Sequence, residues 1–81
     1  MPTITVRFFA AAREAFGARE SHIRAGSVDE LVSALAEEAD PQAATVLSRS
    51  SFLVNSVAAT DRSAALNAGD TVDVLPPFAG G

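Results

Sequence analysis

Side chains able to do chemistry are few in this chain, and their spacing does not assemble a catalytic centre. There is one histidine, His22, and no cysteine. Neither a metal shared between imidazoles and thiolates nor a disulfide framework can therefore form. Serines are plentiful, but a hydroxyl nucleophile needs a base. His22 sits in a polar stretch, "ESHIRA", that reads as a strand with the imidazole at the surface. The carboxylate pairs Asp29-Glu30 and Glu37-Glu38 fall on what reads as the solvated face of a helix. "NAGD", Asn67 to Asp70, carries one glycine and reads as a turn rather than a phosphate loop. No metal site is expected.

The stretch that does suggest chemistry is "LPPFAGG", Leu75 to Gly81. Pro76 and Pro77 fix two φ angles and bias the chain toward extended polyproline geometry. Residues 76–81 are expected to form a flexible tail lifted away from the sheet. From Pro77 onward the tail at full extension would reach about 16 Å. Gly80 and Gly81 have no Cβ and could thread a channel that excludes any side chain. The α-carboxylate expected on Gly81 is a poor electrophile and a poor sulfur source. Transfer of AMP from ATP by a partner would make it a mixed anhydride with a good leaving group. Sulfide transfer to that anhydride would give a nucleophilic thiocarboxylate. A terminal glycine pair alone is also the signature of a frayed end, so the body of the chain must carry the distinction.

Eighty-one residues point to one domain over 1–81, near the lower size limit for a core unaided by metal or disulfides. A hydrophobic fraction of 48% supplies that core. Net charge is −4 and all six basic residues are arginine. An acidic chain without basic clusters argues against nucleic-acid binding and against docking on anionic membranes. Without lysine, no internal amine other than the N-terminus could capture an activated carboxyl group. "MPTITVRFF" lacks a basic region followed by a long apolar run, and no stretch approaches membrane-spanning length. The expected location is cytoplasmic.

The elements that must position the tail follow from periodicity. "TITVRFF" alternates Ile4, Val6 and Phe8 against Thr5 and Arg7 and reads as a half-buried strand. A short helix from Ala10 to Phe16 follows, with Gly17 as its C-terminal cap. "ESHIRA" is a second strand with Ile23 inward. Ser27 and Glu30 have capping-box spacing, each side chain expected on the other's backbone amide. The helix they open carries Val28, Leu31, Leu35 and Val32 on one stripe. Asp40-Pro41 ends it, and "PQAATVLSRS" reads as a second, weaker helix. "SFLVNSVAA" reads as one strand and "TDRSAALNAGD" as loop. "TVDVLPP" closes the core with Val72 and Val74 inward and Thr71, Asp73 and Leu75 outward. This order suggests an α+β fold in which a mixed sheet wraps over one main helix, with the first and last strands central and parallel, as in a β-grasp. A ferredoxin-like plait is the rival and would need two comparable helices.

Three stretches taken together are specific: "VRFFAAAREAFG" at 6–17, Val54-Asn55, and Leu66 to Gly81 with "AGDTVDVLPPFAGG". In order and spacing they resemble the MoaD/ThiS family of sulfur carriers over essentially the whole length, and within it the small subunits of molybdopterin synthase. The resemblance implies a β-grasp, ubiquitin-like fold. It places the reactive carboxyl, cycling through adenylate and thiocarboxylate, on Gly81 and the threading role on Gly80. Pro77, Phe78 and Ala79 match the family's tail. The implied partners are an E1-like adenylating and sulfurating enzyme, which uses ATP, and a larger synthase subunit in a heterotetramer. That subunit would insert sulfur into a cyclic pyranopterin precursor. The chain itself is implied to bind no cofactor and to be non-catalytic alone. Arg13 and Glu14 match the family's "RE" and read as helix surface.

Alternation proposes a docking face. Leu75, outward at the base of the tail, and Phe9, outward at the end of the neighbouring strand, would form a patch with Pro76 and Pro77 for a reversible partner. The competing reading has them covering the sheet edge or capping the core. Other functions within reach are a carrier for thiamine or cysteine biosynthesis and a ubiquitin-like protein modifier. Thiamine carriers are shorter, lacking most of the region from about Asp40 to Ser51. "LPPF" before "AGG" favours molybdopterin over both other pathways.

Overall fold

In the computed structural model, residues 1–77 are described. Apolar residues at alternate positions build the first strand, β1 (Thr3–Phe8), with Ile4, Val6 and Phe8 buried. The chain then turns sharply at Ala10 into a helix, α1 (Ala11–Phe16). Gly17, at φ 69°, ends α1 in the left-handed conformation and donates its N–H to the carbonyl of Arg13 at 2.9 Å. Only glycine adopts that geometry without cost. The stop returns Phe16 to stack on Phe8, with ring centroids 4.9 Å apart.

β2 (Glu20–Arg24) runs back antiparallel to β1. The main helix, α2 (Val28–Glu38), buries Val28, Leu31 and Leu35, with Val32 packed at the margin of the core. Its start departs from the full capping box. Ser27 Oγ accepts from the Glu30 N–H at 3.2 Å, but no return bond from the Glu30 carboxylate to Ser27 is formed among the described residues. That carboxylate instead lies against Gly26, where an added Cβ would stand 2.8 Å from Oε1. Asp40 caps the next helix, α3 (Pro41–Arg49), by accepting from the Ala43 N–H at 2.8 Å, with Pro41 in the first turn. There the missing proline donor would be unpaired in any case.

The expected strand "SFLVNSVAA" is two strands, β3 (Ser51–Val54) and β4 (Val57–Ala58), paired antiparallel. Asn55 and Ser56 form the turn between them at φ 50° and 71°. Two consecutive positive φ values match the right-handed twist of flanking strands, which favours a two-residue hairpin over one continuous strand. The expected loop follows, its one buried apolar anchor Leu66 held by a bond from its N–H to Gly26 O.

β5 (Thr71–Leu75) enters the middle of the sheet, whose order is β2-β1-β5-β3-β4. It pairs parallel with β1 and antiparallel with β3. Central parallel terminal strands over a dominant helix are the β-grasp arrangement, and this excludes the plait. Val72 and Val74 meet Ile4, Val6, Leu31 and Leu47 in one core cluster. Burial of each such side chain contributes about 1.5–3 kcal/mol, so this layer holds the helices to the sheet. Asp73, expected on the solvent side, does lie on the open face but is buried at 5% exposure, because Arg7 covers it. Among the described residues no helix is long and apolar enough to cross a membrane.

Candidate functional site

The two central strands deliver their ends to the same edge of the molecule. Phe8 pairs with Val74 in parallel register. β1 itself stops at Phe8, so Phe9, expected to end this strand, lies one residue beyond it. It still donates its N–H to Val74 O at 3.3 Å. Phe9 and Leu75 consequently stand side by side where the chain leaves the sheet. Each is half-buried rather than fully exposed.

Both border a hollow of about 520 Å³ that also involves Pro76 and Pro77. Pro76 is half-buried and Pro77 exposed, so the chain as far as Pro77 runs along this hollow. The other wall is made by Ala10 and Ala11 at the head of α1 and by Arg49 and Ser51, where α3 gives way to β3. The surface is predominantly apolar, and among the described residues Arg49 is the one ionised side chain bordering it. This suits an apolar partner surface carrying a carboxylate or phosphate near its rim.

Ala10 deserves its place here through geometry. Its φ of 49° and ψ of −125° lie in a region that residues with a Cβ rarely occupy. The turn aims α1 back across the sheet and opens the wall beside Phe9. Arg7 supports Phe9 from the other side, its guanidinium 5.5 Å from the ring centroid.

Sequence reasoning found Phe9, Leu75, Pro76 and Pro77, which the structure brings together. It missed Ala10, Arg49 and Ser51. Ser51 arrives by pairing with Leu75 across β3 and β5, a long-range register that "SRSS" does not advertise. Phe78, Ala79, Gly80 and Gly81 lie outside the described residues. Arg13, Glu14 and His22 are exposed and away from the hollow. The His22 imidazole stands 3.8 Å from Glu20 on β2. No group of three or more potential metal ligands occurs among the described residues.

The structural class is therefore a β-grasp domain whose last described residues, Pro76 and Pro77, lie beside an apolar hollow. The sequence matches the ThiS family over residues 6–81, and the chain belongs to that family of small sulfur carriers and ubiquitin-like proteins. No curated relative matches the chain. Among solved structures it is similar to one from Helicobacter pylori, described as a complex of subunits 1 and 2 of molybdopterin-converting factor. That match has 25% identity and a TM-score of 0.76, covering 98% of this chain and 99% of that one. The Haloferax volcanii HVO 2177 protein is 29% identical with a TM-score of 0.81, covering 99% of this chain and 87% of that one. The small archaeal modifier protein 1 of Methanosarcina acetivorans has a TM-score of 0.85 at 21% identity, covering 100% and 98%. It shares the fold.

Proposed function

We propose that this chain is the sulfur-donating small subunit of a molybdopterin synthase. The observation that carries the reading is the apolar hollow at the exit of the chain, where Phe9, Leu75, Pro76 and Pro77 converge. A carrier must dock on several partners in turn while its terminus reaches into their active sites, and a docking surface at the root of the tail couples the two. The likeness to a molybdopterin-converting factor complex at 25% identity supports the same assignment.

The chemistry assigned to the tail balances in three steps. The Gly81 carboxylate attacks the α-phosphorus of ATP in the activating enzyme, and pyrophosphate leaves. Sulfide supplied by that system attacks the acyl carbon, and AMP leaves, giving the thiocarboxylate. In the large subunit the thiocarboxylate sulfur attacks a carbon of the cyclic pyranopterin precursor and an oxygen substituent leaves that carbon, giving a thioester to Gly81. Water then attacks the acyl carbon, the acyl C–S bond breaks, and Gly81 returns to a carboxylate while the sulfur stays on the product. A dithiolene needs two sulfurs, so two loaded carriers are consumed per product. Gly80 keeps the approach narrow, and the chain binds neither ATP nor metal for these steps. A cytoplasmic setting fits a nucleotide-dependent cycle.

The test uses the chain prepared with a C-terminal thiocarboxylate, mixed with a molybdopterin synthase large subunit and the cyclic pyranopterin precursor. Dithiolene product, absent with the plain carboxylate, is the expected result. An intact thiocarboxylate with no product would move the assignment to another sulfur pathway or to protein modification. Deleting Gly81 should abolish loading with little change in stability. A truncated chain that still loads and transfers sulfur would overturn the tail chemistry.

A further inference from the structure

Among the described residues the sheet has two free edges, β2 and β4, and they are not equivalent. β4 is two residues long, whereas β2 is five residues long and regular. The hydrogen-bond parity of β2 is set by its neighbour. Phe8 donates to Arg19 O, and Ala25 donates to Pro2 O, so with the register Ile4–Ile23 and Val6–Ser21 the odd-numbered residues of this strand face β1. In an antiparallel ladder the intervening residues point their N–H and C=O groups the other way. Glu20, His22 and Arg24 therefore present their backbone groups along the free edge, and their side chains on the open face.

We propose that this edge pairs with the same edge of a second copy of the chain, antiparallel about a two-fold axis through His22. That register places Glu20 opposite Arg24 of the second copy, and Arg24 opposite Glu20, while His22 meets its own equivalent. All three outward residues then fall in hydrogen-bonded positions, and both cross-strand charge pairs are of opposite sign. The two neighbouring allowed registers, shifted by two residues either way, set His22 opposite Arg24 or opposite Glu20, and neither keeps both Glu20–Arg24 pairs. Charges on an edge strand ordinarily oppose pairing. Here their order makes the edge complementary to itself.

Two further features agree. Arg24 forms no ion pair among the described residues, so its charge is available to a second chain. On the other face of the strand, Ile23 is half-buried at the margin of the core. The same register brings Ser21 of the second copy over it. Opposed residues at such non-hydrogen-bonded positions stand closest, with Cα atoms about 4.5 Å apart. The two sheets would become one continuous sheet with the helices of both copies on the same side. β1 separates β5 from the shared edge, so each chain would still leave its sheet freely at Pro76. The surface is small, and the dimer is accordingly weak, with a dissociation constant of about 0.1–1 mM.

The experiment is sedimentation equilibrium of the full chain from about 10 μM to about 1 mM, together with amide exchange at both ends of that range. A monomer–dimer equilibrium is expected, with concentration-dependent protection at the amides of Glu20, His22 and Arg24 and unchanged protection at Ser21 and Ile23. Arg24→Glu places like charges opposite each other twice and should weaken association about tenfold. The exchange of signs, Glu20→Arg with Arg24→Glu, should restore it. Glu20 also lies opposite Arg7 within the chain, so if the double variant fails to fold, Arg24→Glu and the amide-exchange pattern decide the matter without it. A chain monomeric at the highest concentration, a dimer whose Glu20, His22 and Arg24 amides stay unprotected, or association indifferent to Arg24→Glu would each overturn the proposal.

Discussion

Arg7 grips Asp73 with two parallel hydrogen bonds, Nε to Oδ1 at 2.7 Å and Nη2 to Oδ2 at 2.9 Å. The residues are register partners on the parallel central strands. The Asp73 side chain is 7% exposed and that of Arg7 46%, so the arginine is the carboxylate's lid. Asp73 raises the Arg7 pKa, first through the hydrogen bond and then through its charge, so the guanidinium stays ionised at any pH the fold survives. The same guanidinium rests over Phe9, which connects strand register to the wall of the hollow.

Breaking this pair from the arginine side should cost stability, because a buried carboxylate is left without its partner. Urea denaturation of Arg7→Ala is expected to show a clearly lowered midpoint. Replacing both residues by leucine should recover most of the loss. An Arg7→Ala variant as stable as the parent would mean that water reaches Asp73 unaided.

Leu75→Asp tests the docking surface. Under the proposed function it should weaken binding to the large subunit by about tenfold or more, as for a central apolar contact in an interface. The thermal midpoint should move little, because the core face of β5 belongs to Val72 and Val74. A large thermal loss would assign Leu75 to the core instead.

Ala10 carries backbone strain. At φ 49° and ψ −125°, Ala10→Gly should raise stability by about 1 kcal/mol, relief of strain outweighing the added freedom of the unfolded chain. Chemical denaturation reads the gain directly. Ser56→Gly, at φ 71° in the β3–β4 turn, should act in the same direction. A loss in both variants would mean that their side chains do more for the fold than the backbone costs.

Asp70 introduces acid sensitivity. Its carboxylate accepts from the Asn67 N–H at 2.8 Å and from Asn55 Nδ2 at 3.1 Å. The Asn67 bond chiefly, then the Asn55 amide, lower its pKa from the ordinary 3.8. A lowered folded-state pKa stabilises fully above the unfolded value and is lost as pH falls through the folded one. Asp61, lowered chiefly by the Ser63 hydroxyl, adds in the same sense. Stability should hold above about pH 5 and decline below the ordinary carboxylate pKa. Asp70→Asn should flatten that decline in denaturation curves measured across the range. An unchanged pH profile would remove Asp70 from the account.

Local patterns were legible in the sequence where they act over a few residues. Ile4, Val6 and Phe8 declared their strand by a period of two. Gly17 declared one helix end as a C-terminal cap, and Asp40-Pro41 declared another through the backbone restriction before proline. The hairpin at Asn55-Ser56 was missed because its turn lacks the glycine that usually marks such a site, so nine apolar-rich residues read as one strand. Glu30 was assigned a return bond that spacing permits but that its contact with Gly26 replaces.

The chain's own residues thus specify its strands, its capped helices and its resemblance to a carrier family, since each depends on neighbours in sequence or on a motif. The meeting of Arg7 with Asp73, the wall formed by Ala10, Arg49 and Leu75, and the outward parity of Glu20, His22 and Arg24 were settled by the tertiary structure. They arise from which strands lie side by side and in what register. Arg7 and Asp73 are separated by 66 positions, and no local period carries that information; burying both apolar faces against α2 at once does.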